Sequence, residues 1–182
     1  MRAMTGNDPL DDLGRELREK VGGEFRRTAE EDELTARQAA LRKRDLAQVA
    51  YELLARGDAV RVTIGSTQLR GVITHARGSL ATLTTGDGLE MHLNLLGPLL
   101  LEVVERSTAG GTSREHYGPE TFIARMRELE LNRAPVEIYL GFTDARPSGI
   151  IEAVAKDHLL LTGDTTSFIP LAHIGAVRRT AG

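Results

Sequence analysis

"DAVRVTIGSTQLRGVI" (58–73) and "APVEIYLGFTDARPSGII" (134–151) follow one pattern: apolar residues alternating with polar ones, a turn that opens at a glycine, and a second apolar run begun by another glycine. Strict alternation places Val60, Val62 and Ile64 on one face of a strand, and Val136, Ile138 and Leu140 on one face of another. These residues match at an offset of 76. Two extra residues in the turn around Pro147 raise the offset to 78, at which Gly71, Val72, Ile73, Leu83, Thr84, Met91, Leu93, Leu96 and Gly97 fall on Gly149, Ile150, Ile151, Leu161, Thr162, Ile169, Leu171, Ile174 and Gly175. We read this as an internal duplication. Gly71 and Gly149 are its structural marks, since a missing side chain early in the second strand lets that strand bend sharply.

Strands are expected near 60–64, 69–76, 79–84, 89–93 and 99–104, separated by turn signals such as "RGS" and "TGDG". Before them, Leu10, Leu13, Leu17 and Val21 mark an amphipathic helix that Gly22 and Gly23 interrupt. A second helix is expected from Glu24 or Glu31 to Arg56, with Leu46, Val49, Ala50 and Leu53 as its stripe and Gly57 as its stop. The small, polar "STAGGTS" (107–113) reads as a linker, and Pro119 opens a short helix bearing Phe122, Ile123, Met126 and Leu129. The expected organisation is a helical, coiled-coil-like arm over 1–44, a lead helix with a first barrel over 45–106, a linker over 107–116 and a lead helix with a second barrel over 117–182. The fold class is α+β: two tandem, SH3-like five-stranded small barrels behind a helical extension, because so few residues per copy enclose a core only if the strands curl strongly.

Composition narrows the function. The chain of 182 residues is 41% hydrophobic, enough for packed cores, and it contains no cysteine, which removes disulfides, thiolate metal sites and cysteine nucleophiles. No apolar run approaches a membrane span and "MRAMTGNDPLDDL" lacks the apolar stretch of a signal peptide, so a cytoplasmic protein without a membrane partner is expected. The net charge is −3. None of the segments 1–56, 57–106, 107–132 and 133–182 has more basic than acidic groups, and there is no tryptophan on which bases could stack.

Helix, then "APVEIYL", then Gly149 with Ile150, Ile151 and Glu152, then "HLLL", then "FIPLAHIGAV" resembles the bacterial Sm-like RNA chaperone family, Hfq, within the wider Sm/LSm superfamily. The resemblance is best over 117–180 and fainter over 45–106. It implies an N-terminal helix on a bent five-stranded barrel, homo-oligomers formed by pairing barrel edges, and RNA as ligand. Three chains would then close a ring of six barrels. The family's usual aspartate after the glycine is replaced by Ala155 and Arg77, and its stacking aromatic by Asp157 and Ser79. Its Tyr-Lys-His motif falls on Pro170, Leu171 and Ala172, and on His92, Leu93 and Asn94, so only the first copy keeps hydrogen-bonding groups there.

The candidate RNA-binding residues are therefore His92 and Asn94, with Arg42, Lys43 and Arg44 from the basic "RKR" run. The five histidines (His75, His92, His116, His158, His173) offer no ligand spacing, so no metal or other cofactor is expected. Glu90 and His92 share a strand face but lack a nucleophile or oxyanion donor, so no catalytic residue is assigned and the protein is expected not to be an enzyme. Two roles stay open: an RNA-binding post-transcriptional regulator, or an oligomeric protein-interaction scaffold that has dropped nucleic-acid binding, its N-terminal helices offering a further surface for other proteins.

Overall fold

The computed structural model describes residues 32–111 and 118–180. The chain divides into two units, 1–44 and 45–182. In the first, the described residues form a helix, α1 (32–43), whose every residue is exposed. The expected coiled-coil-like arm is thereby corrected, for a coiled coil needs a buried apolar seam and α1 has none. The helix expected over Leu10–Val21 lies outside the described residues.

The second unit opens with α2 (Leu46–Arg56). Asp45 accepts from the Gln48 N–H at 2.7 Å as its N-cap, and Gly57, at φ 71°, ends it by donating to the Leu53 and Leu54 carbonyls. The single helix expected to run through to Arg56 is thus two, because an aspartate that binds its own downstream amide starts a helix. The linker is tied to this helix end: buried Asp58 accepts from the Ser107 N–H at 2.9 Å, and the Gly111 N–H donates to Ala55 O at 2.9 Å.

Ten strands follow: β1 (Ala59–Ile64), β2 (Thr67–Arg77), β3 (Leu80–Thr85), β4 (Glu90–Asn94), β5 (Leu100–Glu105), then after α3 (Phe122–Leu131), β6 (Pro135–Leu140), β7 (Ser148–Val154), β8 (His158–Thr162), β9 (Thr166–Pro170) and β10 (Ile174–Arg179). Thr121, accepting from the Ala124 N–H at 3.1 Å, caps α3, so that helix begins later than Pro119 suggests.

All ten strands join one sheet in the order β5-β1-β2-β3-β4-β10-β6-β7-β8-β9. This overturns the two self-contained, Sm-like or SH3-like small barrels. β4 and β10 pair with each other, Ala176 opposite Leu93, Val177 opposite His92 and Arg178 opposite Met91, so neither half closes on itself. The physical reason is local. The edge of one half presents unpaired backbone groups, and the other half, on the same chain, supplies a strand for them.

The duplication is visible within that sheet. The order β5-β1-β2-β3-β4 repeats as β10-β6-β7-β8-β9. A bulge between Ile73 and His75 in β2 recurs between Ile151 and Ala153 in β7. A Cβ on Gly71 would lie 2.2 Å from Thr84 O, and one on Gly149 2.3 Å from Thr162 O, so both glycines admit the same close backbone approach.

One part of the sequence alignment needs correction. Pairing sets Leu93 opposite Ala81 and Ile169 opposite Leu159, which makes Ile169, not Leu171, the counterpart of Leu93. The β3–β4 hairpin closes from Thr84 to Glu90 and the β8–β9 hairpin from Thr162 to Thr166, so the second loop is two residues shorter. Side chains alternate with period two, so a slip of two residues keeps every apolar position apolar and escapes a pattern match. Hence Phe168 corresponds to His92 and Pro170 to Asn94.

Two apolar clusters fill the unit, and they cross the junction: Tyr139 and Ala176 pack into the cluster of the first half, Leu80 into that of the second. The β6–β7 loop adds a polar clasp over the β1–β2 turn. Asp144 accepts from the Ser66 hydroxyl, and Arg146 donates to Thr67 at 3.0 Å while lying 4.9 Å from the centre of the Tyr139 ring. Among the described residues, no helix is long and apolar enough to cross a membrane.

Candidate functional site: the β4–β10 seam and the open edges

The direction of backbone groups decides what β4 can offer. Leu95 N–H donates to Ser79 O at 3.0 Å and Thr85 N–H to Leu89 O at 2.9 Å. Bonded pairs in an antiparallel ladder recur every second residue, so Met91 and Leu93 bond to β3, while Glu90, His92 and Asn94 turn their backbone groups towards β10. The seam is therefore a hydrogen-bonded join between the edges of two equivalent halves.

Two of the sequence candidates for RNA binding, His92 and Asn94, lie on β4 at this seam. His92 is 6% exposed, and its Nδ1 is 3.3 Å from the Thr82 hydroxyl. Burial, helped by the nearby Arg125 and His75, pushes its pKa down to about 4, so the ring is neutral at pH 7. Asn94, also 6% exposed, donates from Nδ2 to Ile174 O at 3.0 Å and Leu171 O at 3.3 Å, and its Oδ1 accepts from the Leu96 N–H at 3.2 Å. It is a brace between the β4–β5 turn and the entry to β10. Arg42 and Lys43 end α1 and Arg44 follows, in the other unit of the chain. Gly71 and Gly149 occupy equivalent places in β2 and β7, as described above.

The sheet ends at β5 and β9. Leu171 N–H donates to Asp157 O and Gly163 N–H to Thr165 O, so the odd-numbered residues of β9 bond inwards to β8, while Thr166 and Phe168 point their N–H groups off the edge. The Phe168 side chain is 68% exposed. On the opposite edge, Leu100, Val103 and Val104 of β5 are exposed as well. Register identifies the counterparts of the seam: Val62 faces Leu101 as Ile138 faces Val177, so Leu101 of β5 corresponds to Val177 of β10.

No family model, no curated protein and no solved structure matches the chain. The resemblance to the Sm-like family thus rests on the sequence pattern alone.

Phe168 is the residue that sequence reasoning missed. The available signal was an aromatic in an otherwise aromatic-poor chain, but the two-residue slip set Pro170, rather than Phe168, against His92.

Proposed function

We propose that this protein is a non-enzymatic interaction scaffold that associates through its open sheet edges, β9 of one copy joining β5 of the next. The observation that carries the reading is the seam, where the same two edges, in the form of β4 and β10, already meet within one chain. An equivalent joint would set Phe168 opposite Leu101, as His92 lies opposite Val177, and would cover apolar side chains that are exposed in the single chain. The partner strand supplies backbone hydrogen bonds whatever its side chains, so the edges also suit β-strands of other proteins. The RNA reading draws no support from Asn94, whose amide braces the seam, or from His92, which is buried beside Thr82, and none of the four segments has more basic than acidic groups.

Mass in solution tests the proposal. The wild-type chain is expected above monomer mass, and Phe168→Pro, which removes an outward N–H without touching the ladder to β8, is expected to lower that mass with the far-UV spectrum unchanged. A wild-type chain that stays monomeric at high concentration, together with salt-sensitive RNA binding lost in His92→Ala plus Asn94→Ala, would reverse the assignment in favour of RNA.

A further inference from the structure

A cavity of about 660 Å³ lies in the second unit between the tip of the β3–β4 hairpin, α3 and the end of β10. Its volume suits a small molecule. His92 lines it, and this ring, 6% exposed, has a partner only at Nδ1, where the Thr82 hydroxyl sits 3.3 Å away. In the tautomer in which the hydroxyl donates to Nδ1, the neutral imidazole carries its proton on Nε2, which has no protein acceptor among the described residues. His92 lines the cavity, where a ligand oxygen can accept from this donor in place of water.

The remaining walls define the ligand. Arg125 and Arg179 line the cavity; Glu128 takes one Nη of Arg125 at 2.7 Å, whereas Arg179 has no acidic partner among the described residues. Glu90 and Glu128 also line it, so the charged groups balance, and a dianion such as a phosphate monoester would meet as much repulsion as attraction. A single negative charge facing Arg179 meets about half of that repulsion and a smaller desolvation cost. Leu89, Leu129 and Ala134 form the apolar wall, which calls for an apolar body.

We propose that this cavity binds a small organic monocarboxylate, one oxygen accepting from His92 Nε2, the charge facing Arg179, and the apolar body against Leu89, Leu129 and Ala134. This site is separate from the open edges and does not depend on the scaffold reading. An anion beside His92 offsets the burial that keeps the ring neutral, so binding raises the pKa of His92 and draws in a proton; affinity therefore increases as pH falls from 7 towards 5.

Benzoate is the probe, with benzamide and phenyl phosphate as controls, and the ring signals of His92 are followed by NMR in the full chain. Benzoate is expected to shift them saturably and to move the titration of His92 to higher pH, while benzamide and phenyl phosphate bind far more weakly. Exposed Arg179→Gln should weaken benzoate about tenfold, the loss of one charge-assisted contact. Leu129→Phe, which narrows the cavity from its apolar wall, should weaken it as well. The absence of a saturable shift in the folded wild-type chain, equal binding of benzamide, or benzoate binding untouched by Arg179→Gln would each overturn the proposal.

Discussion

Asn94→Ala separates a brace in the seam from a ligand-reading side chain. In the folded chain the Asn94 amide makes three hydrogen bonds, from Nδ2 to Ile174 O at 3.0 Å and Leu171 O at 3.3 Å, and from the Leu96 N–H to Oδ1 at 3.2 Å. Each is worth about 1 kcal/mol net, and truncation strands their partners in a region where Asn94 itself is almost wholly buried. The expected loss is about 2–4 kcal/mol. At ordinary slopes this lowers the urea midpoint by about 1–2 M, read by far-UV circular dichroism because the chain lacks tryptophan. Asn94→Asp should cost at least as much, since a carboxylate oxygen would replace the donor and face two carbonyl oxygens. If both variants stay within about 0.5 kcal/mol of wild type, as surface substitutions do, the bracing role is wrong.

Two further outcomes follow from burial and packing. Gly71→Val and Gly149→Val should each destabilise the second unit by about 1–3 kcal/mol or more through overpacking, since the added Cβ would lie 2.2 Å and 2.3 Å from a carbonyl oxygen, whereas Gly86→Ala, with nothing within 4 Å, should be neutral; equal effects at all three sites in thermal unfolding would refute the close-approach argument. The pKa of His92 falls from 6.5 to about 4 in the folded chain, so between these values the unfolded chain binds more protons and acid favours unfolding, by at most about 3 kcal/mol. His92→Gln should remove that part of the loss when urea midpoints are compared from pH 7 to pH 4.5, and an unchanged pH slope would show that the ring is not held neutral by burial.

The local elements were legible because they depend on short-range physics. Alternation at Val60, Val62 and Ile64 placed β1, the same alternation at Val136 and Ile138 placed β6, and the stripe of Leu46, Ala50 and Leu53 placed α2. The cap at Asp45 was legible in principle, as an acidic residue before an apolar stripe, yet the continuous helical pattern around it hid the break. The equivalent places of Gly71 and Gly149 were also legible, since only glycine admits a carbonyl so close to Cα.

Amino-acid order alone thus determined the repeated set of strands, its lead helices and its glycine contacts, all consequences of side-chain period and backbone sterics over a few residues. Tertiary structure alone decided that β4 joins β10, that Asn94 is spent as a brace while His92 is buried beside Thr82, and that Phe168 rather than a polar triplet marks the open edge. Strand pairing is a long-range choice made by unpaired N–H and C=O groups that are alike at every residue, and a slip of two positions leaves the apolar pattern intact, so nothing in the order of side chains records which edge meets which.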